Sequence, residues 1–340
     1  MIERTATAPP GAAAPPAAPP AAARPEGALR AAPRAARVRW VRWWTSGWGN
    51  PWGYAFVAPA LALYVIFNAY PVVRGLAMAF TDYRFLVPGS EWAFNGLSNY
   101  RELFFNDRTF WHAFGVSLRF TLLTFPISLL LALGVAMLVA QVRRVRLAAF
   151  YRVIVYLPVV LPISVAMLLW QQLYHYQLGY LNYLLKSVFH VAQPPNWLGD
   201  VNVALPAIAA ATIWKTFGAD TLLFLIGLYG INREVYEAAD IDGANPLQQA
   251  WYVTLPLLKP VFVLVVALNA GIASATQEML ILTNGGPQNA TLTLGLYGYQ
   301  LGFQNGDLRL GYSAAMYLLL GGIHMVLALV ILKTLRTERA

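Results

Sequence analysis

The sequence predicts an all-α membrane protein with six transmembrane helices, and three observations carry that reading. Of 340 residues, 58% are apolar and only 11% charged, under half the roughly 25% of an ordinary soluble chain. Uncharged runs of the ~20 residues that cross a bilayer occur at Tyr54 to Val73, Phe120 to Ala140, Val153 to Tyr174 and Leu310 to Leu332. Pro260 to Gln277 is slightly shorter, and Val203 to Tyr229 is interrupted by Lys215 and Asp220. Finally, sixteen Lys or Arg fall in the termini and alternate connections, against seven in the remaining connections. By the positive-inside rule both termini are expected in the cytoplasm. The net charge of +9 is thus explained by topology, and no stacked aromatic and basic module points to nucleic acid.

In chain order, residues 5–23 hold ten Ala and six Pro, too little to bury, so a disordered cytoplasmic tail is expected over 1–45. Arg30, Arg34, Arg37, Arg39 and Arg42 follow among Trp40, Trp43 and Trp44. That mix suits contact with membrane lipids, or simply a positive flank that holds the first span. No apolar run begins before about Tyr54, which argues against a cleaved signal peptide. The membrane domain then fills 46–340, with spans expected at about 54–80, 112–140, 150–174, 203–229, 258–280 and 310–333.

Several chemistries are excluded. With no cysteine there is no disulfide, thiolate or Cys-ligated metal. None of the four lysines follows a glycine, so no P-loop is present. His112, His175, His190 and His324 lack metal-ligand spacing and are taken as packing or interfacial residues. Asn289-Ala-Thr291 matches a glycosylation sequon that arises often by chance.

The connection after the fourth span breaks the charge pattern, with Glu234, Glu237, Asp240 and Asp242 against Arg233. Arg233 to Asp242 is compatible with a helix, Gly243 is a natural stop, and Asn245-Pro246 is an N-cap followed by a first-turn proline. Two short cytoplasmic helices with an elbow at Gly243 are expected. Small residues at Ala238, Ala239, Gly243 and Ala244 would let another surface approach closely. On these residues alone the segment is either a docking element or an ordinary interfacial hairpin. Pro256 and Pro260 either favour a bend below the fifth span or separate two helices.

Glu237-Ala238-Ala239, with Gly243 four residues on and then Leu255-Pro256, resembles the EAA loop of ABC importer permeases. The stretch Tyr236 to Ala244 is similar to the maltose-type sugar branch. So are Phe94 to Tyr100, Leu282 to Pro287 and Gly311 to Ala315, and the likeness spans roughly 50–335. Trp251 stands where the family often has Phe, and Asn232 where many relatives have Pro. The resemblance implies the ABC importer permease fold, with a coupling helix within 232–256. Glu237, Ala238, Ala239, Asp240, Gly243, Ala244, Leu255 and Pro256 would then engage an ATPase. It further implies a second permease chain, two ATPase copies and an extracytoplasmic sugar-binding protein in a bacterial inner membrane. ATP and Mg would be held by the partners, leaving no cofactor in this chain and no enzymatic activity of its own.

Charges inside a bilayer are expensive and mark candidate pathway residues. Lys215 lies near the middle of span four, as pathway residue or internal ion-pair partner. Asp220, five residues on, is about 140° away around the helix and poorly placed to pair with it. Gln277, Glu278 and Asn284 could offer hydrogen bonds to a hydroxyl-rich solute. Arg74 and Arg119, nearer the outer ends, would snorkel to headgroups. Trp170, Trp197 and Trp214 are expected in packing or interfacial belts. The function expected is a carbohydrate permease of an ATP-driven importer. The alternatives are an ion-coupled secondary transporter using Lys215, Asp220 or Glu278, or an ABC permease for a non-sugar solute such as glycerol phosphate. A membrane-embedded enzyme would need a catalytic dyad at a membrane face, and the sequence offers none.

Overall fold

The computed structural model describes residues 51–90, 93–269, 271, 275–306 and 308–335. The expected tail over 1–45 and its Arg/Trp flank lie outside the described residues. The chain divides into two units, 1–66 and 67–340. In the first, Pro51–Tyr64 (α1) is helical and leaves Phe56 and Leu61 exposed, an arrangement suited to hydrocarbon surroundings. A π-helical turn, Val65–Ala69, and the helix Tyr70–Met78 (α2) follow, and Gly53–Met78 is long and apolar enough to cross a membrane.

The second unit is helical apart from one bridge, Thr81 with Phe94, among the described residues. After Ser98–Phe105 (α3), Asp107 caps Arg108–Ala140 (α4) by accepting the Phe110 amide at 2.9 Å. The helices Val145–Val160 (α5), Ile163–Leu173 (α6) and Tyr180–Ser187 (α7) lead to Ala204–Tyr229 (α8). α4 and α8 form the most extensive helix pair. Small buried residues let their backbones approach, Ala113, Ala132 and Ala136 on one and Ala204, Ala207 and Ala211 on the other, as membrane helix packing requires where lipid supplies no hydrophobic drive. Leu130, Leu138 and Ile226 on the same helices are exposed, facing where lipid tails would lie.

Where the sequence predicts one third span over 150–174, the structure breaks it: α5 and α6 meet at 96°. Pro162 cannot donate an amide and drives Leu161 out of the helical region, to ψ 136°. The break frees the Val159 carbonyl, and Lys215 Nζ donates to it at 3.1 Å. Lys215 therefore caps a broken helix. Lys215→Met should lower the Tm of the detergent-purified protein by an amount equivalent to about 1 kcal/mol, the low end of the cost of orphaning a carbonyl, because the bond is part-buried. An unchanged Tm would remove this role.

The fifth span also differs from the expected 258–280. The helices Arg233–Ile241 (α9) and Pro246–Gln249 (α10), a π-helical turn at Ala250–Thr254 and the helix Leu255–Leu268 (α11) run together, and Pro246–Leu268 is the stretch able to cross a membrane. Pro256 lies in the first turn of α11 and Pro260 inside it. The helix stops at Asn269, and Ala275, at φ +39°, introduces a new short helix, Thr276–Leu282 (α12). With the bent pair counted as one, the described residues hold six stretches long and apolar enough to cross a membrane.

The helices Leu294–Tyr299 (α13) and, after a π-helical turn, Leu310–Leu335 (α14) complete the unit. A polar clamp ties their ends to α3 and α4. Asp107 Oδ2 accepts the hydroxyls of Tyr297 at 2.8 Å and Tyr312 at 2.7 Å. Arg309 binds both Glu102 oxygens at 2.7 Å and lies 4.3 Å from the centre of the Tyr312 ring. The Arg309 hydrogen bond holds the Glu102 carboxyl below its ordinary value of 4.5. The stabilisation is full above that value and is lost as pH falls through the lower value of the folded state. Acidification from about pH 6 to about pH 3.5 should therefore shrink the Tm difference between wild type and Arg309→Met. A pH-independent difference would contradict the pairing.

Candidate functional site

α4, α8 and α14 surround a cavity of about 340 Å³, completed by the end of α11 and the start of α12. Thr124, Thr216 and His324 line it, each near the midpoint of its helix, so the cavity sits at mid-depth. Its wall joins apolar Phe120, Phe125 and Leu268 to a set of polar groups unusual for membrane spans. The hydroxyls of Thr121, Thr124 and Thr216 donate to the carbonyls of Ser117, Phe120 and Thr212, four residues back, at 2.8–2.9 Å. A hydroxyl satisfied in this way keeps acceptor capacity for a ligand. Asn269 Nδ2 donates to Asp220 Oδ1 at 3.2 Å and to the Val265 carbonyl at 2.9 Å.

Of the five pathway residues expected from sequence, Asp220 and Glu278 line this cavity. They come from α8 and α12, whose meeting the sequence does not announce. Lys215, Gln277 and Asn284 do not line it. Lys215 holds Val159, Gln277 is exposed, and Asn284 is an exposed left-handed residue bonded to Gln300 at 3.3 Å. His324, read from the sequence as packing, is on the wall. The tryptophans stay in packing: Trp170 meets Trp214 edge-on at 5.7 Å, and Tyr174 lies between Trp170 and Trp197 while its hydroxyl bonds the Ala207 carbonyl at 2.8 Å.

The polar elbow expected between spans four and five is present. Asn232 caps α9 by accepting the Glu234 amide at 3.2 Å, and Asn245 with Gln248 forms a reciprocal capping box on α10. Gly243, at φ +78°, makes the turn. Gln249 ties the two helices through Asp240 and the Ala244 carbonyl, and Tyr236 meets buried Thr254 at 3.1 Å. Glu237 pairs with Arg233 at 3.0 Å on an exposed face, where such a pair contributes little. Ala238 is exposed, Ala239 and Ala244 half-buried, Leu255 half-buried and Pro256 exposed. The elbow also presents Ile241, Leu247, Trp251 and Tyr252 to solvent, at 87%, 68%, 62% and 80% exposure. Four large apolar side chains on a polar segment mark a contact surface. Of these the sequence draws attention only to Trp251.

The sequence profile of binding-protein-dependent transport system inner membrane components matches residues 108–336. The sulfoquinovosyl glycerol transport system permease protein of Agrobacterium fabrum is 32% identical over 301 residues, covering 88% of this chain and 95% of its own length. The trehalose/maltose transport system permease protein of Thermococcus litoralis is 32% identical over 78% of this chain and 87% of its own. Among solved structures, a chain of a bacterial ABC transporter involved in import of the acidic polysaccharide alginate matches at TM-score 0.72 and 23% identity, over 89% of this chain and 100% of that one. That match shows the fold. Profile and relatives together show that the chain belongs to the family of binding-protein-dependent transport system inner membrane components, the permeases of ABC importers.

Proposed function

We propose that this chain forms the translocation pathway of an ATP-driven importer for a sugar or oligosaccharide, taking solute from an extracytoplasmic binding protein and hydrolysing no nucleotide itself. Relatives named for trehalose and maltose, arabinooligosaccharides and lactose support the carbohydrate class. The observation that carries the mechanism is the continuity of α11. It starts at the π-helical turn below the elbow and ends at Leu268 and Asn269 on the cavity wall, a rigid rod of about 20 Å. A displacement of the elbow by an ATPase is thereby delivered to the residues that bound the cavity, which opens to one side or the other.

In this scheme Glu237, Ala238, Ala239, Asp240, Gly243 and Ala244 meet the ATPase, while Leu255 and Pro256 begin the rod. A second permease and two ATPase copies complete the assembly, with ATP and Mg in the ATPase. The basic flanks support a cytoplasmic side for both termini. Because the chain has no cysteine, Ala239→Cys or Leu247→Cys gives a single-cysteine variant directly. Either should cross-link to the ATPase in the assembled importer, with a yield that changes on ATP binding. Absence of any cross-link from both positions would overturn the docking assignment.

A further inference from the structure

We propose that the cavity selects neutral and amino sugars and rejects uronates, sugar phosphates and sugar sulfonates, an inference that rests on the carbohydrate function above. The wall is rich in acceptors. The hydroxyl protons of Thr121, Thr124 and Thr216 are engaged by backbone carbonyls. Both hydrogens of the Asn269 amide are engaged as well, by Asp220 and Val265. Asp220 and Glu278 add carboxyl groups.

Lys and Arg are absent from the lining among the described residues, and the sequence between Asn269 and Ala275 holds no charged residue. Lys215 lies within Coulombic reach of Glu278, but its ammonium is bound to the Val159 carbonyl. It supports that carboxyl and is not on the wall. The other side-chain donors among the described lining residues are the neutral hydroxyls of Thr212 and Ser128 and the His324 ring.

Thr212 adds one further hydroxyl beside the wall, its Oγ1 enclosed and with no hydrogen-bond partner among the described residues. A hydroxyl-rich solute satisfies such a surface, since each sugar hydroxyl donates to a Thr, Asn or carboxyl oxygen. An ammonium group does so more strongly, through charge-assisted bonds to Asp220 or Glu278. A carboxylate, phosphate or sulfonate only accepts, and would enter beside two carboxyl groups with no Lys or Arg on the described wall to balance it. The volume, at the small end of the ~300–1,000 Å³ range of ligand pockets, suits a short saccharide.

The test is equilibrium binding to the purified importer assembly, without its binding protein, of three disaccharide probes: one of glucose, one of glucosamine and one containing glucuronate. The neutral and amino probes should bind, and the glucuronate probe at least tenfold more weakly than the neutral one. Asp220→Asn and Glu278→Gln, each made singly, should cost the glucosamine probe at least tenfold and the neutral probe no more than threefold. Glucuronate binding equal to that of the neutral probe in the wild type would overturn the proposal. So would an unchanged preference for glucosamine in both variants. If no probe binds and no carbohydrate is taken up with ATP, the carbohydrate function falls, and the charge rule with it.

Discussion

Gly243→Asp should abolish ATP-driven uptake while the protein is still made, inserted and folded, and Glu237→Lys should do the same. At φ +78° Gly243 occupies the left-handed region, yet a Cβ built there meets nothing within 4 Å. Within the chain the substitution therefore costs only backbone strain, about 1–2 kcal/mol. Glu237 is likewise exposed, and its pair with Arg233 lies on a solvated surface. Neither change can unfold the bundle, so a complete loss of transport must arise at a surface the chain meets elsewhere. ATP hydrolysis by the assembly should persist without transport. Normal uptake in both variants would remove the elbow from the coupling path.

Gly218→Leu should act in the opposite way, destroying the folded protein rather than its coupling. A Cβ at Gly218 would lie 2.2 Å from the Val155 carbonyl oxygen, and that neighbour is backbone, unable to turn aside. α8 and α5 would have to separate, taking Lys215 away from Val159. The cost should exceed the roughly 1–3 kcal/mol of ordinary overpacking, enough to prevent recovery of monodisperse protein in detergent. Gly134→Leu on α4 is the control, because no atom lies within 4 Å of its added Cβ. Equal yield and Tm for the two variants would contradict the close crossing.

The elbow was legible because its signals are local. Asn232, Gly243 and Asn245-Pro246 each act on their own turn of backbone, and the structure shows caps and a left-handed glycine where those residues fall. The stretches long and apolar enough to cross a membrane were legible as uncharged runs in the sequence. The break at Pro162 was not, because Val153 to Tyr174 is apolar throughout and a hydropathy scan does not distinguish a straight span from one bent by 96°.

Lys215 has a partner that the sequence does not reveal. A charge in a span needs a partner, and the partner here is a carbonyl released by a proline some fifty residues earlier. The cavity itself is assembled from α4, α8, α12 and α14, so Asp220 and Glu278 could be picked out singly as costly charges, whereas Thr212, Asn269 and His324 could not. The clamp of Asp107 with Tyr297 and Tyr312 joins residues about 200 positions apart and leaves no local trace.

The most direct measurement is uptake of a labelled carbohydrate into sealed proteoliposomes holding the complete importer, with ATP and an ion gradient controlled independently. Uptake should require ATP and the ATPase subunit, and should continue when ionophores collapse the gradient. Uptake that persists without ATP and disappears with the gradient would instead make the chain an ion-coupled transporter.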